Sequence, residues 1–181
     1  YESATQELAR RLLSGMAQGL GLPSRYFDAF MRDPMPVLRL LHYPPQPPSQ
    51  DALPGQIGCG AHTDWGSITL LAQDEAGGLQ VQDEQGQWFD APPVADAYVV
   101  NLGDMMARWT NDRYRSTPHR VLNPSGRDRL SIAYFFDMDF HAKVEVLPGC
   151  SSPERPPRYA PTTAGRHIIE MYERTRANAE P

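Results

Sequence analysis

Beyond Pro36 the chain is a series of short stretches that favour β-structure, and proline or glycine separates nearly every pair of them. Pro44-Pro45 and Gly77-Gly78 are two such separators. The predicted strands cover residues 37–43, 57–64, 68–72, 79–82, 97–102, 116–122, 129–136 and 143–147. Many short strands joined by turns are typical of a β-sandwich or a jelly roll.

Helical patterns lie on both sides of this β-rich region. Near the start, apolar residues recur every three or four positions, which predicts an amphipathic helix. Gly21 and Pro23 end that helix, and Ser24 can cap a shorter one that follows. The predicted helices cover residues 5–20, 24–31, 105–109 and 163–176.

Length and charge exclude several classes of protein. The 181 residues fit one domain of ordinary size. Lys and Arg total 17 against 22 Asp and Glu, a net charge of −5, so the chain has no basic excess with which to bind nucleic acid. No apolar run approaches the ~18 residues of a membrane span, and two cysteines are too few for a disulfide framework, so we predict a cytoplasmic protein. Because the chain opens at Tyr1 and enters a helical pattern almost at once, we expect its true N-terminus to be missing.

A first candidate site lies around His62 and Asp64. In an extended strand, residues two apart share a face, so Gly58, Gly60, His62 and Asp64 point the same way. The two glycines leave space beside an imidazole and a carboxylate, whereas a packed core would fill it. The spacing of His62 and Asp64 alone is common by chance, and the alternative is a surface histidine with Asp64 in a turn.

His119 adds a second imidazole from another predicted strand, 116–122. Two histidines and one carboxylate can occupy one face of an octahedral metal ion and leave three adjacent positions open. This ligand set is associated with non-haem Fe(II) oxygenases, whereas a structural zinc site closes its fourth position with protein. The alternative for His119 is a buried histidine bonded to backbone.

A third candidate group is Arg129 with Ser131. Alternation along the strand puts these two residues on one face together with Ala133 and Phe135. A guanidinium beside a hydroxyl, with only alanine next to them, suits the carboxylate of a small anionic cosubstrate. The alternative is an edge-strand arginine paired with Asp128 or Asp137.

Taken in order, these motifs resemble the catalytic domain of the Fe(II) and 2-oxoglutarate-dependent dioxygenases. The similar branch includes isopenicillin N synthase and the plant flavonoid and gibberellin oxygenases, and the resemblance covers about residues 37–148. The segments that carry it are His-Thr-Asp-Trp-Gly-Ser-Ile-Thr-Leu-Leu at 62–71, Gly-Gly-Leu-Gln-Val at 77–81, Asn-Leu-Gly-Asp at 101–104, Thr-Asn at 110–111, His-Arg-Val at 119–121, and Arg129 with Ser131.

The resemblance implies a mainly β fold, a double-stranded β-helix (jelly roll) with two leading α-helices and a C-terminal helix. The whole of 1–181 would be one catalytic domain, with a helical lead-in over about 1–35, the jelly-roll core over about 36–148, and a tail and helix over about 149–181. Members of the family are usually much longer, with an N-terminal region before the point where this chain begins.

The resemblance also implies a site and a reaction. Fe(II) would be held by His62, Asp64 and His119, and Arg129 and Ser131 would hold the distal carboxylate of 2-oxoglutarate. Oxidation by O2 would convert 2-oxoglutarate to succinate and CO2 and couple this to hydroxylation, desaturation or cyclisation of a small-molecule substrate. The identity of that substrate and the oligomeric state are left open.

Tyr43 stands where the family often has the last tyrosine of Asn-Tyr-Tyr-Pro, and the resemblance gives it a hydrogen bond to the same distal carboxylate. The family's asparagine is replaced by Leu41, which removes one polar contact. The alternative for Tyr43 is an aromatic residue packed before a proline turn.

Two rival functions stay open. One is an Fe(II) oxidase that does not use 2-oxoglutarate, since isopenicillin N synthase and aminocyclopropane-carboxylate oxidase keep a similar Arg-x-Ser. The other is a metal-binding module without turnover. The remaining histidines, His42, His141 and His167, are predicted to be structural or solvated.

Overall fold

The computed structural model describes residues 1–45, 58–123 and 125–177. Its helices are α1 (Glu2–Gly19), α2 (Asp104–Thr110) and α3 (Ala164–Ala177), with a 3₁₀ helix at Tyr26–Phe30. Its strands are β1 (Pro34–Tyr43), β2 (Cys59–His62), β3 (Ile68–Gln73), β4 (Leu79–Gln82), β5 (Trp88–Asp90), β6 (Val99–Leu102), β7 (His119–Val121), β8 (Arg129–Asp139), β9 (Lys143–Val144) and β10 (Thr162–Thr163).

Two antiparallel four-stranded sheets form the body of the fold. The major sheet has the order β1-β8-β3-β6 and the minor sheet the order β2-β7-β4-β5, while β9 and β10 form a separate pair. From β2 to β8 the chain alternates between the two sheets, except for the β4–β5 hairpin. This alternation is the winding of a double-stranded β-helix, so the prediction of a mainly β jelly roll is confirmed.

The outer face of the major sheet packs against α1. Ala9, Leu13 and Ala17 lie on one side of that helix and are fully buried in a cluster that includes Tyr134 and Phe136 of β8. The apolar spacing of the N-terminal sequence therefore covers the sheet, as an amphipathic helix does. Burying a side chain such as Leu13 contributes about 2 kcal/mol to stability.

The inner face of the major sheet is turned towards the minor sheet. Leu71 of β3 and Ala133 of β8 pack there against Leu79 of β4 and Val121 of β7 in a second, smaller cluster. Because β8 alternates, Arg129 and Ser131 share this inner face with Ala133. The candidate residues Arg129 and Ser131 thus lie between the two sheets.

Several boundaries differ from the sequence predictions. The strand predicted at 143–147 ends at Val144, and β5 and β10 were not predicted. They are two or three residues long, too short to show a period. The second leading helix is a five-residue 3₁₀ helix whose N-cap is Arg25, and no side chain caps it, so Ser24 does not have the predicted role. The strand predicted from Ile57 begins outside the described residues.

No helix in the described part of the chain is long and apolar enough to cross a membrane.

Helix α2 is docked against the turn between β2 and β3. The backbone N–H of Asp104 donates to the carbonyl of Asp64 at 2.8 Å, and that of Met105 donates to the carbonyl of Gly66 at 3.1 Å. This approach requires Gly103, because a Cβ at that position would lie 2.2 Å from the Gly66 carbonyl oxygen. The start of α2 therefore sets the position of the Asp64 backbone.

We expect Gly103→Ala to lower the free energy of unfolding by about 3 kcal/mol, since the methyl group meets backbone that must shift. Gly15→Ala is the control: it lies in an exposed part of α1 with nothing within 4 Å of the added atom. There alanine should stabilise the helix by up to ~1 kcal/mol. Urea denaturation of both variants measures the difference, and equal stability would contradict the close approach.

Candidate metal centre

Two histidines lie side by side on adjacent strands of the minor sheet. His62, at the end of β2, is the register partner of His119, at the start of β7. Their ring centroids are 4.3 Å apart, and Asp64 follows two residues after the end of β2. One donor atom from each of these three residues lies within 4.8 Å of the other two. Among the described residues this is the one group of three or more His, Cys, Asp or Glu side chains arranged to hold a metal ion.

Backbone carbonyls orient both imidazole rings. Nδ1 of His62 lies 2.8 Å from the Gly60 carbonyl oxygen, and Nδ1 of His119 lies 3.1 Å from that of Thr117. A carbonyl only accepts, so each Nδ1 carries the proton and donates it. The lone pair is then on Nε2, which is the tautomer that a metal ion requires.

Asp64 supplies a buried carboxylate without enough partners. Its Oδ1 lies 3.7 Å from Nε2 of His119, and its Oδ2 is buried and accepts no hydrogen bond from the described residues. A buried carboxylate oxygen left in this state is costly unless a cation is present. Two imidazoles and one carboxylate on one side of an ion leave coordination positions open, and the set suits Fe(II) and similar divalent metals. These residues therefore fit a catalytic metal ion.

The structure corrects the expected geometry of this segment. Strand β2 ends at His62, so Asp64 reaches the centre from a turn and not by strand alternation. Gly60 has open space where a side chain would be, as predicted. Gly58 does not: a Cβ there would lie 3.0 Å from the Tyr43 ring and 3.1 Å from the Val121 carbonyl.

Cys59 is a neighbour of the centre that the sequence pattern does not predict. Its Sγ lies 3.7 Å from Nδ1 of His62. This contact, with the hydrogen bond to Gly60, raises the pKa of His62 to about 9, while the same contact lowers the pKa of Cys59. A metal ion that binds here must displace the proton of His62. The proximity follows from the bulge in the β2–β7 register, for which the sequence has no signal.

Arg129, the first residue of β8, and its neighbours form a polar group on the inner face of the major sheet. Arg129 is fully buried, and the register places Tyr43 of β1 directly opposite it. Its Nη1 donates to Oγ of Ser131 and its Nη2 to Oε1 of Gln73, both at 3.2 Å, and its Nε donates to the Gly77 carbonyl. The guanidinium carbon lies 5.0 Å from the centre of the Tyr43 ring.

This arginine has no carboxylate partner among the residues that the structure describes. The alternative of an edge-strand ion pair is wrong, because β8 lies between β1 and β3, Asp128 pairs with His42 at 2.7 Å, and Asp137 accepts from the backbone of Ser67. A guanidinium has five N–H donors, so the described bonds leave donors to spare. A buried cation without a counter-ion, beside a hydroxyl, fits an incoming carboxylate.

The protonation states of this group suit an anion. Burial raises the pKa of Tyr43, so its phenol stays neutral at pH 7 and can donate. Burial also lowers the pKa of Arg129, but the ordinary pKa of a guanidinium lies so far above neutral that the group stays charged at pH 7. Gln73 was not predicted from the sequence; only the β3–β8 register brings it opposite Ser131.

The other histidines lie outside these two groups. His42 is exposed and paired with Asp128, and His141 is exposed. His167 is buried, and its Nε2 lies 2.9 Å from the Trp65 carbonyl oxygen; burial lowers its pKa. These positions agree with the structural or solvated roles predicted for them.

Comparison with known proteins gives consistent matches. Residues 34–138 match the model of the 2OG-Fe(II) oxygenase superfamily. The 2-oxoglutarate-Fe(II) type oxidoreductase hxnY of Emericella nidulans is 44% identical over 181 residues, which are 99% of this chain and 52% of that protein. The 2-oxoglutarate-dependent dioxygenase citB of Monascus ruber is 50% identical over 149 residues, 81% of this chain and 45% of that protein.

Solved structures agree. The crystal structure of a full-length Neurospora crassa protein in complex with alpha-KG and thymine has a TM-score of 0.89 and 39% identity, covering 94% of this chain and 54% of that protein. The chain thus spans about half the length of the relatives it matches.

We expect His62→Ala to weaken the binding of Fe(II) or Co(II) roughly 100-fold, because it removes one of three donor atoms. His141→Ala is the matched control, since that histidine is exposed and lies outside the centre. Anaerobic calorimetric titration of the two variants measures the affinities. Equal affinities would mean that the metal binds elsewhere.

Proposed function

The chain belongs to the 2OG-Fe(II) oxygenase superfamily, and from this we propose that it is the catalytic domain of an Fe(II)- and 2-oxoglutarate-dependent dioxygenase. The domain comprises 1–181, with the lead-in over about 1–35, the core over about 36–148 and the tail and helix over about 149–181. The observation that carries the proposal is the buried Asp64, whose Oδ2 accepts no hydrogen bond from the described residues, beside two correctly oriented imidazoles. Arg129, buried and without a carboxylate partner among the described residues, lies on the inner face of the opposite sheet.

In this proposal His62, Asp64 and His119 are the iron ligands. Bound Fe(II) supplies the activation of O2, which reacts sluggishly with C–H bonds by itself. The protein's part is geometric: the Gly60 and Thr117 carbonyls fix the ring orientations, and the first turn of α2 fixes the Asp64 backbone. The two histidines and the aspartate then all present their donor atoms to one point.

Arg129, Ser131 and Tyr43 bind the distal carboxylate of 2-oxoglutarate. The guanidinium neutralises the carboxylate and the two hydroxyls donate further hydrogen bonds to it. Ser131 is held by Arg129 before the anion arrives, and Gln73 holds the guanidinium from the other side. This pre-organisation means that little side-chain freedom is lost on binding.

The substrate is a small organic molecule that contacts the inner face of β1. Val37 and Arg39 are exposed on that face, and the Arg39 guanidinium carbon lies 5.4 Å from the centre of the Phe135 ring. An aromatic ring and a cation side by side suit a flat molecule with polar acceptors. The thymine complex of the Neurospora crassa protein is consistent with a substrate of this size. We further propose a cytoplasmic location, since Cys59 and Cys150 are both free thiols.

The overall reaction provides the test. One O2, one 2-oxoglutarate and one substrate give succinate, CO2 and either the hydroxylated substrate or, where the substrate is desaturated or cyclised, that product and one water. We expect the purified protein, loaded with Fe(II) and screened against small polar organic molecules, to form succinate and consume O2 in a 1:1 ratio, as that stoichiometry requires. With the substrate identified in this screen, the Arg39→Ala variant should form less succinate than the wild type, because one contact to the substrate is removed.

Other results of this measurement identify the rival functions. O2 uptake with substrate but without 2-oxoglutarate would mean an oxidase of the isopenicillin N synthase or aminocyclopropane-carboxylate oxidase type. Absence of both the weak visible band of an Fe(II) 2-oxo acid complex under anaerobic conditions and of succinate would mean a metal-binding module without turnover.

Tyr43→Phe should raise the KM for 2-oxoglutarate about 5- to 10-fold, because it removes one hydroxyl donor worth ~1 kcal/mol from cosubstrate binding. The value of kcat should change little, since the proposed metal ligands are untouched. Tyr172→Phe, at an exposed tyrosine on α3, is the control and should behave as the wild type. An unchanged KM in Tyr43→Phe would contradict the role of this hydroxyl.

A further inference from the structure

A second concave region lies behind the turn that carries Asp64. It has a volume of about 650 Å³ and is bounded by α2, the segment 111–116, the segment 155–159 and α3. None of the residues proposed for iron or 2-oxoglutarate lines it. We call it the arginine cavity because five arginines line it: Arg108, Arg115, Arg155, Arg158 and Arg174.

The charge of the arginine cavity is opposite to that of the whole chain. Its lining has two carboxylates, Asp104 and Asp112, against those five guanidinium groups, whereas the chain carries a net charge of −5. Both carboxylates already have partners. Asp104 accepts a hydrogen bond from the Thr63 hydroxyl, and Asp112 accepts one from the Tyr159 hydroxyl and pairs with Arg158.

Three of the arginines have no carboxylate partner in the described part of the chain. Arg115 pairs with Glu84 and Arg158 with Asp112, which leaves Arg108, Arg155 and Arg174 without a counter-ion. Like charges brought together around one cavity repel each other, and this cost is removed when an anion binds between them.

Arg108 is held in place for such a role. Its Nη2 donates to the Ala160 carbonyl at 2.8 Å, and its guanidinium carbon lies 5.1 Å from the centre of the Tyr159 ring. Its Nε is buried and has no hydrogen-bond partner in the described residues. A buried N–H donor without a partner costs free energy, and the Ala160 hydrogen bond and the Tyr159 ring hold the guanidinium in place against that cost.

We propose that the arginine cavity binds a small, multiply charged oxyanion, a phosphate ester or a polycarboxylate. Guanidinium groups bind both in the same two-pronged manner. A volume of 650 Å³ is that of a small-molecule site. The anion would lie behind the turn that carries Asp64. Ser116, in the lining, donates to the Asp64 carbonyl at 3.5 Å, and His167, also in the lining, contacts the Trp65 carbonyl. The site is independent of the reaction proposed for the metal centre.

Titration of the purified full chain with pyrophosphate and, separately, citrate tests this at constant ionic strength. The decisive pair of variants is Arg174→Glu and Arg176→Glu. Both residues are exposed in the last turn of α3, and both substitutions change the net charge equally, but only Arg174 lines the cavity. We expect saturable binding that Arg174→Glu weakens about tenfold or more and Arg176→Glu less than about twofold. Thermal melts confirm that both variants are folded.

Tighter binding of pyrophosphate supports a phosphate ester as the ligand, and tighter binding of citrate supports a polycarboxylate. Equal weakening by the two variants would overturn the proposal, because it would mean attraction by overall charge. Weakening by Tyr43→Phe as large as that by Arg174→Glu would also overturn it, since the probe would then occupy the Arg129 group. The proposal would also be overturned if neither pyrophosphate nor citrate showed saturable binding at concentrations up to about 5 mM.

Discussion

The arrangement of the molecule depends on strand β8, which is hydrogen-bonded along both edges. It pairs with β1 over ten residues of that strand and with β3 over six. Its outer face is fixed by α1 through Tyr134 and Phe136, so the inner face has no freedom to rotate. A buried guanidinium costs free energy to desolvate, and this firmly held strand keeps Arg129 in the interior with no counter-ion among the residues that the structure describes.

The candidate metal centre is built differently, from the ends of elements. His62 closes β2, His119 opens β7, and Asp64 lies in a turn whose carbonyl groups accept from the first backbone N–H groups of α2. Strand ends and turns bring side chains from distant parts of the sequence to one point while the sheets supply rigidity. The ligand set and the Arg129 group are thus supported by separate contacts, α2 for one and β1 with β3 for the other.

Much of this could be predicted from the sequence because it follows from periodicity. Alternation along 129–136 correctly puts Arg129 and Ser131 on one face, and the four-residue spacing of Leu8, Leu12 and Met16 predicts α1. What could not be predicted depends on register and on turns. Gln73 contacts Arg129 only because β3 pairs with β8. Strand β2 ends at His62, two residues before its predicted end, so Asp64 lies in the turn that follows. Strand β5 is too short to show a pattern.

Main-chain carbonyls, at Gly60 and Thr117, orient the imidazole rings, and Cys59 adds one side-chain contact to His62. A carbonyl group is present whatever residue occupies the position, so this orientation survives most point substitutions nearby. Other side chains between the two sheets can therefore differ without changing the orientation of the imidazole rings. In a fold of this kind new substrate preferences can arise by single steps, each of which leaves the reactive centre intact.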